Sequence, residues 1–437
     1  MNAALVTVLF FGLILFFLAL GLPISFALGG VSVALTYFFW GAEGLSIIAN
    51  RAWGAVANFV VVCVPLFVFM GAMLERSGVA SALYKSMHLW CGRLRGGLAV
   101  GTVLICMLFA AMTGLSASAT VTMGLVALPE MLKRNYDKSL ALGCITAGGA
   151  LGVLIPPSVT MVLYALVAEQ SVGKLFMGGL VPGVILGLFF IAYILIRAAF
   201  QPQIAPGAPQ EERGTWRHKL MALRAVILPS LIILGVLGTI FAGIATPTEA
   251  AAVGAMLTLV SAAIHKRLRW ADVRDACYQT LKVSSMAMWI YLGSLCFTTL
   301  YYSTGAPAFV KEFLLHMPGG KWGTIITIQI IWFLLGMFLD PWGIIMITAP
   351  VFCPVIKELG FSLIWFGVLF IVNMEMAYLT PPFGFNLFYL KGVAPSDVSL
   401  ADIYRSVVPF IALQAIVLIL IIVFPQLVLW IPKMMLG

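Results

Sequence analysis

Apolar residues in this chain come in long runs separated by short polar stretches, not in the narrow stripes of a soluble helix or the alternation of a half-buried strand. The runs at 3–22, 24–40, 58–76, 140–168, 172–197, 225–244, 247–264, 280–302, 361–391 and 406–430 each reach the ~20 residues of a bilayer-crossing helix, or come close to it. Two further regions, 97–132 and 322–356, read differently. Each has two apolar arms of about 12–15 residues around a polar or Gly-rich tip, and arms that short predict re-entrant hairpins. Just ahead of the first, "VASALYKSMHLWCGRLR", Val79 to Arg95, has the basic anchors of an interfacial amphipathic helix. The first run starts at Ala3 without a basic leader or a small-residue cleavage site, so it reads as a retained helix.

One hydrophilic linker, "FQPQIAPGAPQEERGTWRHK" (Phe200 to Lys219), divides the chain near its middle. The order of elements repeats on either side of it: three spans, a short amphipathic stretch, a hairpin, two more spans. This predicts a first repeat over 1–200, a linker over 201–224 and a second repeat over 225–437. Gly21, Gly101 and Gly114 recur 222 positions on as Gly243, Gly323 and Gly336. Five full spans per half is an odd number, so the second half is inverted relative to the first. The expected fold is an all-α polytopic membrane protein with about ten full spans and two re-entrant helical hairpins in two inverted-topology repeats.

Composition supports the membrane reading. Hydrophobic residues make up 62% of the 437 positions and charged residues 9%, where a soluble domain carries roughly a quarter charged; mean hydropathy is +1.09. The net charge of +9 is a matter of topology, with no sign of nucleic acid as a partner. In the predicted threading only Arg51, Lys174, Lys311, Lys321, Lys357 and Lys433 fall in one set of loops; the other nineteen of the 25 basic residues fall in the opposite set, which is therefore cytoplasmic. Both termini then face the periplasm. The seven cysteines are scattered singly and the four histidines lie far apart, which implies neither disulfides nor a transition-metal site. No Walker loop, GxSxG elbow or HExxH occurs, so the chain is not expected to be an enzyme.

Two proline pairs interrupt predicted spans: "LIPPS" at Leu154 to Ser158 and "LTPPFGFN" at Leu379 to Asn386. Proline has no N–H and clashes with the preceding turn, so each pair breaks its helix and frees carbonyls about four residues back. Freed carbonyls must line a cavity or bind something within a membrane. The first hairpin tip, "TGLSASATVTMG" from Thr113 to Gly124, crowds hydroxyls around a turn at Gly114. Tip and break both lie about 16 residues from the cytoplasmic face, ~24 Å of helical rise, so they can meet. Hydroxyl and carbonyl oxygens suit an alkali cation, although Ser and Thr also serve simply as interhelical glue. The second tip, "GMFLDPWGI" from Gly336 to Ile344, holds Asp340 and faces the break with Glu375, Thr380, Pro381, Pro382 and Gly384. Asp340 and Glu375 are the two acids expected deep in the membrane, where an acid needs a partner or a function. Asp340 reads as an ion ligand or a hairpin cap. Glu375 reads as an ion ligand or a structural acceptor of freed backbone N–H groups. "ATPTEAA" is helix-start grammar, with Thr246 as N-cap, Pro247 in the first turn and Glu249 as the capping-box acid.

The tip "GLSASATVTMG", the "LIPPS" break, "ATPTEAAAVG" and "LTPPFGFN", in this order and over essentially the whole chain, resemble the large membrane subunit of tripartite ATP-independent periplasmic (TRAP) transporters. The resemblance implies the ion-transporter superfamily fold, with a scaffold and a mobile transport domain working as an elevator in the bacterial inner membrane. It implies Na⁺-coupled uptake of an organic acid, a carboxylate, with no cofactor besides the coupling ion. Its implied partners are a periplasmic substrate-binding protein and a small four-helix membrane subunit, the latter expected as a separate polypeptide because the first span begins at once. By the same resemblance a first Na⁺ site would use Gly114, Ser116, Ser118 and Thr120 with carbonyls around Ile155 and Pro156. A second would use Gly336 and Asp340 with Thr380, Pro381 and Gly384. The substrate carboxylate would face Ser116, Ser118, Thr120, Ser158 and Thr380, and Pro157, Pro382 and Glu375 would serve structure or coupling. Many relatives carry a proline in the first tip where Ala117 and Ser118 stand here, which leaves the identity of the acid open. A stand-alone Na⁺- or H⁺-coupled carboxylate transporter of the same superfamily shares these features. A scaffold subunit of an enzyme complex would call for paired haem histidines, which the scattered four do not supply.

Overall fold

The computed structural model describes residues 3–207 and 215–434, and every regular element among them is helical. The first half opens with α1 (Ala3–Ala19), turns at Gly21 and continues as α2 (Ile24–Val56) and α3 (Cys63–Arg76). The surface helix α4 (Val79–Cys91) leads into the first hairpin, α5 (Gly97–Thr113) and α6 (Ser116–Lys133). The first broken helix is α7 (Lys138–Ala150) and α8 (Val159–Val167), and α9 (Val172–Phe200) closes the half. The second half begins with α10 (Trp216–Ala222) and α11 (Arg224–Ile233), prolonged through a π-wound stretch at Leu234–Gly238 into α12 (Thr239–Phe241). Then come α13 (Pro247–Ile264), α14 (Trp270–Ser303) and the short α15 (Pro307–Leu315). The second hairpin is α16 (Gly320–Gly336) and α17 (Pro341–Glu358), and the second broken helix is α18 (Leu363–Ala377) and α19 (Phe385–Val393). α20 (Leu400–Val423) and α21 (Gln426–Met434) end the described chain.

By length and composition, seven helical runs suit a full crossing, while α1, the hairpin arm α5, α16, α7 and α18 are shorter apolar helices. The expected end of the second run at residue 40 coincides with a break at Gly41, whose φ of 65° and ψ of -161° are not helical; a second helical segment then continues α2 to Val56. Two boundaries differ from the sequence expectation. α14 begins at Trp270, ten residues before 280, because Arg269 locks onto Asp272 at 2.8 Å and starts the helix outside the apolar run. The last run, read as one span over 406–430, stops at Val423 and restarts at Gln426; Pro425 between them cannot continue the ladder. The predicted start at Thr246 holds: Thr246 N–H donates to Glu249 Oε2 at 2.8 Å while Glu249 N–H donates to Thr246 Oγ1 at 3.3 Å.

Cross-links between distant segments fix which ends share a face. Gly96 N–H donates to Ala205 O at 3.0 Å, Asp137 N–H to Ile204 O at 2.7 Å, and Lys138 Nζ lies 3.3 Å from Asp402. Arg76 reaches Gln279 at 2.9 Å and Trp90 reaches Lys219 O at 3.0 Å. These ends form one face, and the base of the first hairpin lies on it. A hollow on the opposite side gathers Asn58, Glu169, Gly243 and Pro247, and Tyr164 Oη donates to Leu363 O at 2.8 Å near the base of the second hairpin. Arg213, counted with the basic loops, lies outside the described residues.

The buried centre consists of the hairpins and broken helices: every residue from Leu140 to Ala150 and from Trp365 to Ala377 is buried. Around it α2 and α14 cross closely at Gly29 and Gly293, where a side chain on Gly293 would come within 2.8 Å of Ser25 O. Large apolar side chains such as Phe38, Trp53 and Trp289 stay exposed on these outer helices, and Leu231 on α11, as a lipid-facing surface requires. Of the glycine pairs, Gly21 and Gly243 share a left-handed turn. Gly114 is left-handed but Gly336 is helical, because the second tip turns later, through Met337 to Asp340.

Candidate functional site

The first tip and the first break meet backbone to backbone. α5 ends where Gly114 takes φ 65°, and α6 begins two residues later at Ser116. α7 tightens into a 3₁₀ turn at Leu151–Val153, passes the cis Pro156–Pro157 peptide and restarts at Val159. Ser158 caps the new helix: its Oγ accepts from Met161 N–H at 3.3 Å and donates to the freed Val153 carbonyl at 2.6 Å. A Cβ on Gly114 would lie 2.3 Å from Pro157 O, and one on Gly152 would lie 2.9 Å from Leu115 C and O. Such approaches admit only glycine at both positions. The predicted meeting of tip and break is thus present in the structure, with Ile155, Pro156, Pro157 and Ser158 all buried.

Asn386 links oxygens of Ser116 and Thr146 beside this contact, and the Thr120 hydroxyl lies one turn along α6 from Ser116, on the same side of the helix. Ser116 Oγ donates to Asn386 Oδ1, and Asn386 Nδ2 donates to Thr146 O at 3.2 Å. Thr120 Oγ1 is buried with no hydrogen-bond partner among the described residues, and it lies over Gly149, whose Cβ would stand 1.9 Å away. The cluster is made by α6, α7 and α19, and its oxygens are neutral hydroxyl, amide and carbonyl groups. Asn386, Thr146 and Gly149 were missed by the sequence reading. Asn386 closes the "LTPPFGFN" motif just inside α19, and that position was the available signal. Ser118 is buried on the same helix but lies about 200° round from Ser116 at 100° per residue.

The second tip is built differently. Asp340 is the N-cap of α17: one carboxylate oxygen accepts from Trp342 N–H at 2.9 Å and the other from Tyr378 Oη at 3.2 Å. Gly336 presses on α18, where a Cβ would come within 2.6 Å of Ala377 Cβ. Thr380 Oγ1 donates to Met376 O at 2.9 Å, which takes up a carbonyl freed by the second break. Pro381 and Pro382 are again joined by a cis peptide, and Tyr404 Oη donates to Pro382 O at 3.0 Å. Gly384 starts α19 with φ 53°. The structure therefore brings Gly336, Asp340, Thr380, Pro381 and Gly384 to one end of α18, with the Asp340 and Thr380 oxygens each bonded to a protein donor or acceptor.

The two halves of the chain also interlock: Ser116 of α6 bonds Asn386 of α19, and Trp342 Nε1 of α17 donates to Thr160 Oγ1 of α8 at 3.1 Å. Glu375 departs from the expected bond to freed backbone N–H groups. It is fully buried in α18, and neither carboxylate oxygen has a hydrogen-bond partner among the described residues. α18 is still intact at Glu375, so the backbone N–H groups there remain in the helical ladder. No group of three His, Cys, Asp or Glu side chains suited to a metal occurs among the described residues.

Comparison with known proteins adds the family. Residues 11–427 match the family described as "Tripartite ATP-independent periplasmic transporter, DctM component". The C4-dicarboxylate TRAP transporter large permease protein DctM of Pseudomonas aeruginosa is 32% identical over 405 residues, covering 92% of this chain and 93% of that one. The ectoine TRAP transporter large permease protein TeaC of Halomonas elongata is 28% identical over 94% of this chain and 96% of its own length. Among solved structures, the YdaH transporter of Alcanivorax borkumensis superposes with a TM-score of 0.59 over 98% of both chains at 14% identity, a likeness of fold.

Proposed function

Since the chain belongs to the DctM, or large-permease, family of tripartite ATP-independent periplasmic transporters, we propose that it imports an organic acid in exchange for the inward fall of Na⁺. It is a transport subunit and not an enzyme. The observation that carries the Na⁺ reading is the buried oxygen cluster of Ser116, Thr120, Asn386 and Thr146 at the first tip. Neutral, hard oxygens drawn from three helices suit a monovalent cation, and the unpartnered Thr120 hydroxyl is an atom that a cation would satisfy. Asn386 then switches its Oδ1 from Ser116 to the ion, with Gly114, Ser118 and the carbonyls at Ile155 and Pro156 shaping the surround. The second cation site is Gly336, Asp340, Thr380, Pro381 and Gly384, where Asp340 supplies the charge.

The substrate carboxylate belongs between the tips, where α6 begins without a side-chain cap and presents free N–H groups, opposite the Asp340-capped start of α17. Ser116, Thr120 and Thr380 line that space, with Ser118 on the other side of α6; Ser158 supports it as a helix cap, and Pro157 and Pro382 hold the breaks open. Cation binding closes each tip on its break, and the substrate then completes the load. The body made of hairpins and broken helices slides as an elevator against α2, α3, α13 and α14. The close Gly29–Gly293 crossing supports a rigid frame for that motion. A C4-dicarboxylate, the substrate class in the name of the Pseudomonas aeruginosa relative, is the carboxylate to test first.

The partners are a periplasmic substrate-binding protein and a small four-helix membrane subunit, with the lipid bilayer as surroundings. Nineteen of 25 basic residues on one side supports an inner-membrane orientation with both termini in the periplasm. Vesicle uptake tests the reading. Labelled C4-dicarboxylate should accumulate only with all three proteins present and Na⁺ higher outside. Uptake by this chain alone, or uptake indifferent to the Na⁺ gradient, overturns it.

A further inference from the structure

Two fully buried side chains near the middle of the molecule have four polar atoms with no hydrogen-bond partner among the described residues: both carboxylate oxygens of Glu375 in α18, and Nε2 and Oε1 of Gln414 in α20. The two helices pack together antiparallel, held in register by Trp365 Nε1 donating to Ile421 O at 2.8 Å and Tyr404 Oη donating to Pro382 O at 3.0 Å, which puts Gln414 within about one turn of the level of Glu375. We propose that Glu375 and Gln414 form a proton-binding site, a neutral carboxylic acid closed face to face on a primary amide.

The argument is one of satisfying atoms. An ionised Glu375 would be a bare charge in a dry core, the costliest state for a carboxyl group. A bound Na⁺ would satisfy the carboxylate and Oε1 but leave Nε2 with nothing to donate to. One proton, taken from water before the core closes, satisfies all four atoms. The acid O–H then donates to Oε1, and Nε2–H donates to the remaining carboxyl oxygen. Charged groups on the packed elements do not offer another partner. Lys321 on α16, Asp340, Lys357 and Glu358 at the ends of α17, Lys174 and Arg197 on α9, Asp402 and Arg405 on α20, and Lys433 on α21 all stand near helix ends. The uncharged titratable groups of these elements and α8 are Cys353, Tyr164, Tyr193 and Tyr404. The site therefore travels with the helix core as a neutral pair, and Glu375 contributes no charge to the transport cycle.

Infrared spectroscopy of the purified full chain in lipid reads this directly. At neutral pH the difference between wild type and Glu375→Gln should contain the C=O band of a protonated, hydrogen-bonded carboxylic acid, unchanged by adding Na⁺. Gln414→Leu should keep the band and move it to the higher frequency of an acid without an amide partner. Glu375→Gln, which mimics the protonated acid, should fold and retain its melting temperature. A carboxylate band in place of the acid band, or an acid band that disappears when Na⁺ is added, overturns the proposal. If Glu375→Gln does not fold, the Gln414→Leu shift decides alone, and an unmoved band counts against it. None of these readouts depends on transport, so their failure is distinct from failure of the proposed uptake function.

Discussion

Replacing Gly149 by alanine is the sharpest way to disturb the first cation site without removing any of its oxygens. The new Cβ would stand 1.9 Å from Thr120 Oγ1, 2.9 Å from its Cβ and 3.0 Å from its Cα. Ordinary contact between such atoms is roughly 3.5 Å, so α6 must retreat by more than about 1 Å or Thr120 must turn away. Either response pulls Thr120 off the cluster, and a retreat of α6 also draws Ser116 from Asn386. Overpacking of a tight core costs about 1–3 kcal/mol. If most of that falls on the cation-bound state, Na⁺ affinity drops by about tenfold to a hundredfold. The assay is Na⁺-dependent thermal stabilisation of the purified chain, titrated against choline as the inert cation. Gly30→Ala is the control, since a Cβ there meets nothing within 4 Å on an already helical backbone. Wild-type Na⁺ affinity in a folded Gly149→Ala protein would refute the placement of Thr120 in the site.

Asn386→Ala removes the residue that ties α6 and α7 to α19, and should abolish Na⁺-driven uptake in vesicles while Asn386→Asp keeps part of it; full uptake by the alanine variant removes Asn386 from the site. Asp340→Ala loses a helix cap as well as a charge, so its melting temperature should fall by an amount equivalent to about 1 kcal/mol. Asp340→Asn should keep the cap and lose the transport, and the contrast between the two, measured as melting and as uptake, separates the roles. Trp342→Phe deletes the bond to Thr160 between the repeats and should cost about 1 kcal/mol of stability by denaturant unfolding, with Na⁺ affinity unchanged. A lowered Na⁺ affinity in that variant would mean the interlock takes part in cation binding.

Much of the architecture was legible because its signals are local. The proline pairs state where helices stop, Thr246 and Glu249 state where one starts, and two arms too short to cross state where the chain turns back. Gly114 showed the turn of the first tip, and the structure gives the reason glycine is required there: Pro157 O occupies the place of a side chain. What stayed hidden depends on pairs far apart in sequence. Asn386 and Ser116 are 270 positions apart, and neither sequence neighbourhood predicts the other. Gly149 reads as one of several small residues in a helix until Thr120 is seen lying on it. Asp340 carried two readings, and the structure supplies the cap while transport measurements must supply the rest. The helix limits missed at α14 and α20 follow the same logic. Hydropathy marks the apolar part of a helix, whereas caps and kinks decide where the hydrogen-bonded ladder ends.

The account stands on an oxygen cage for a small cation at the first tip. Direct binding of radioactive ²²Na⁺ to the purified chain, compared between wild type and the Ser116→Ala/Asn386→Ala double variant, measures it without any partner or substrate. Saturable binding in the wild type that competes with unlabelled Na⁺, and that is reduced by at least one site in the folded double variant, is the predicted result. Equal binding stoichiometry and affinity in both proteins would contradict it.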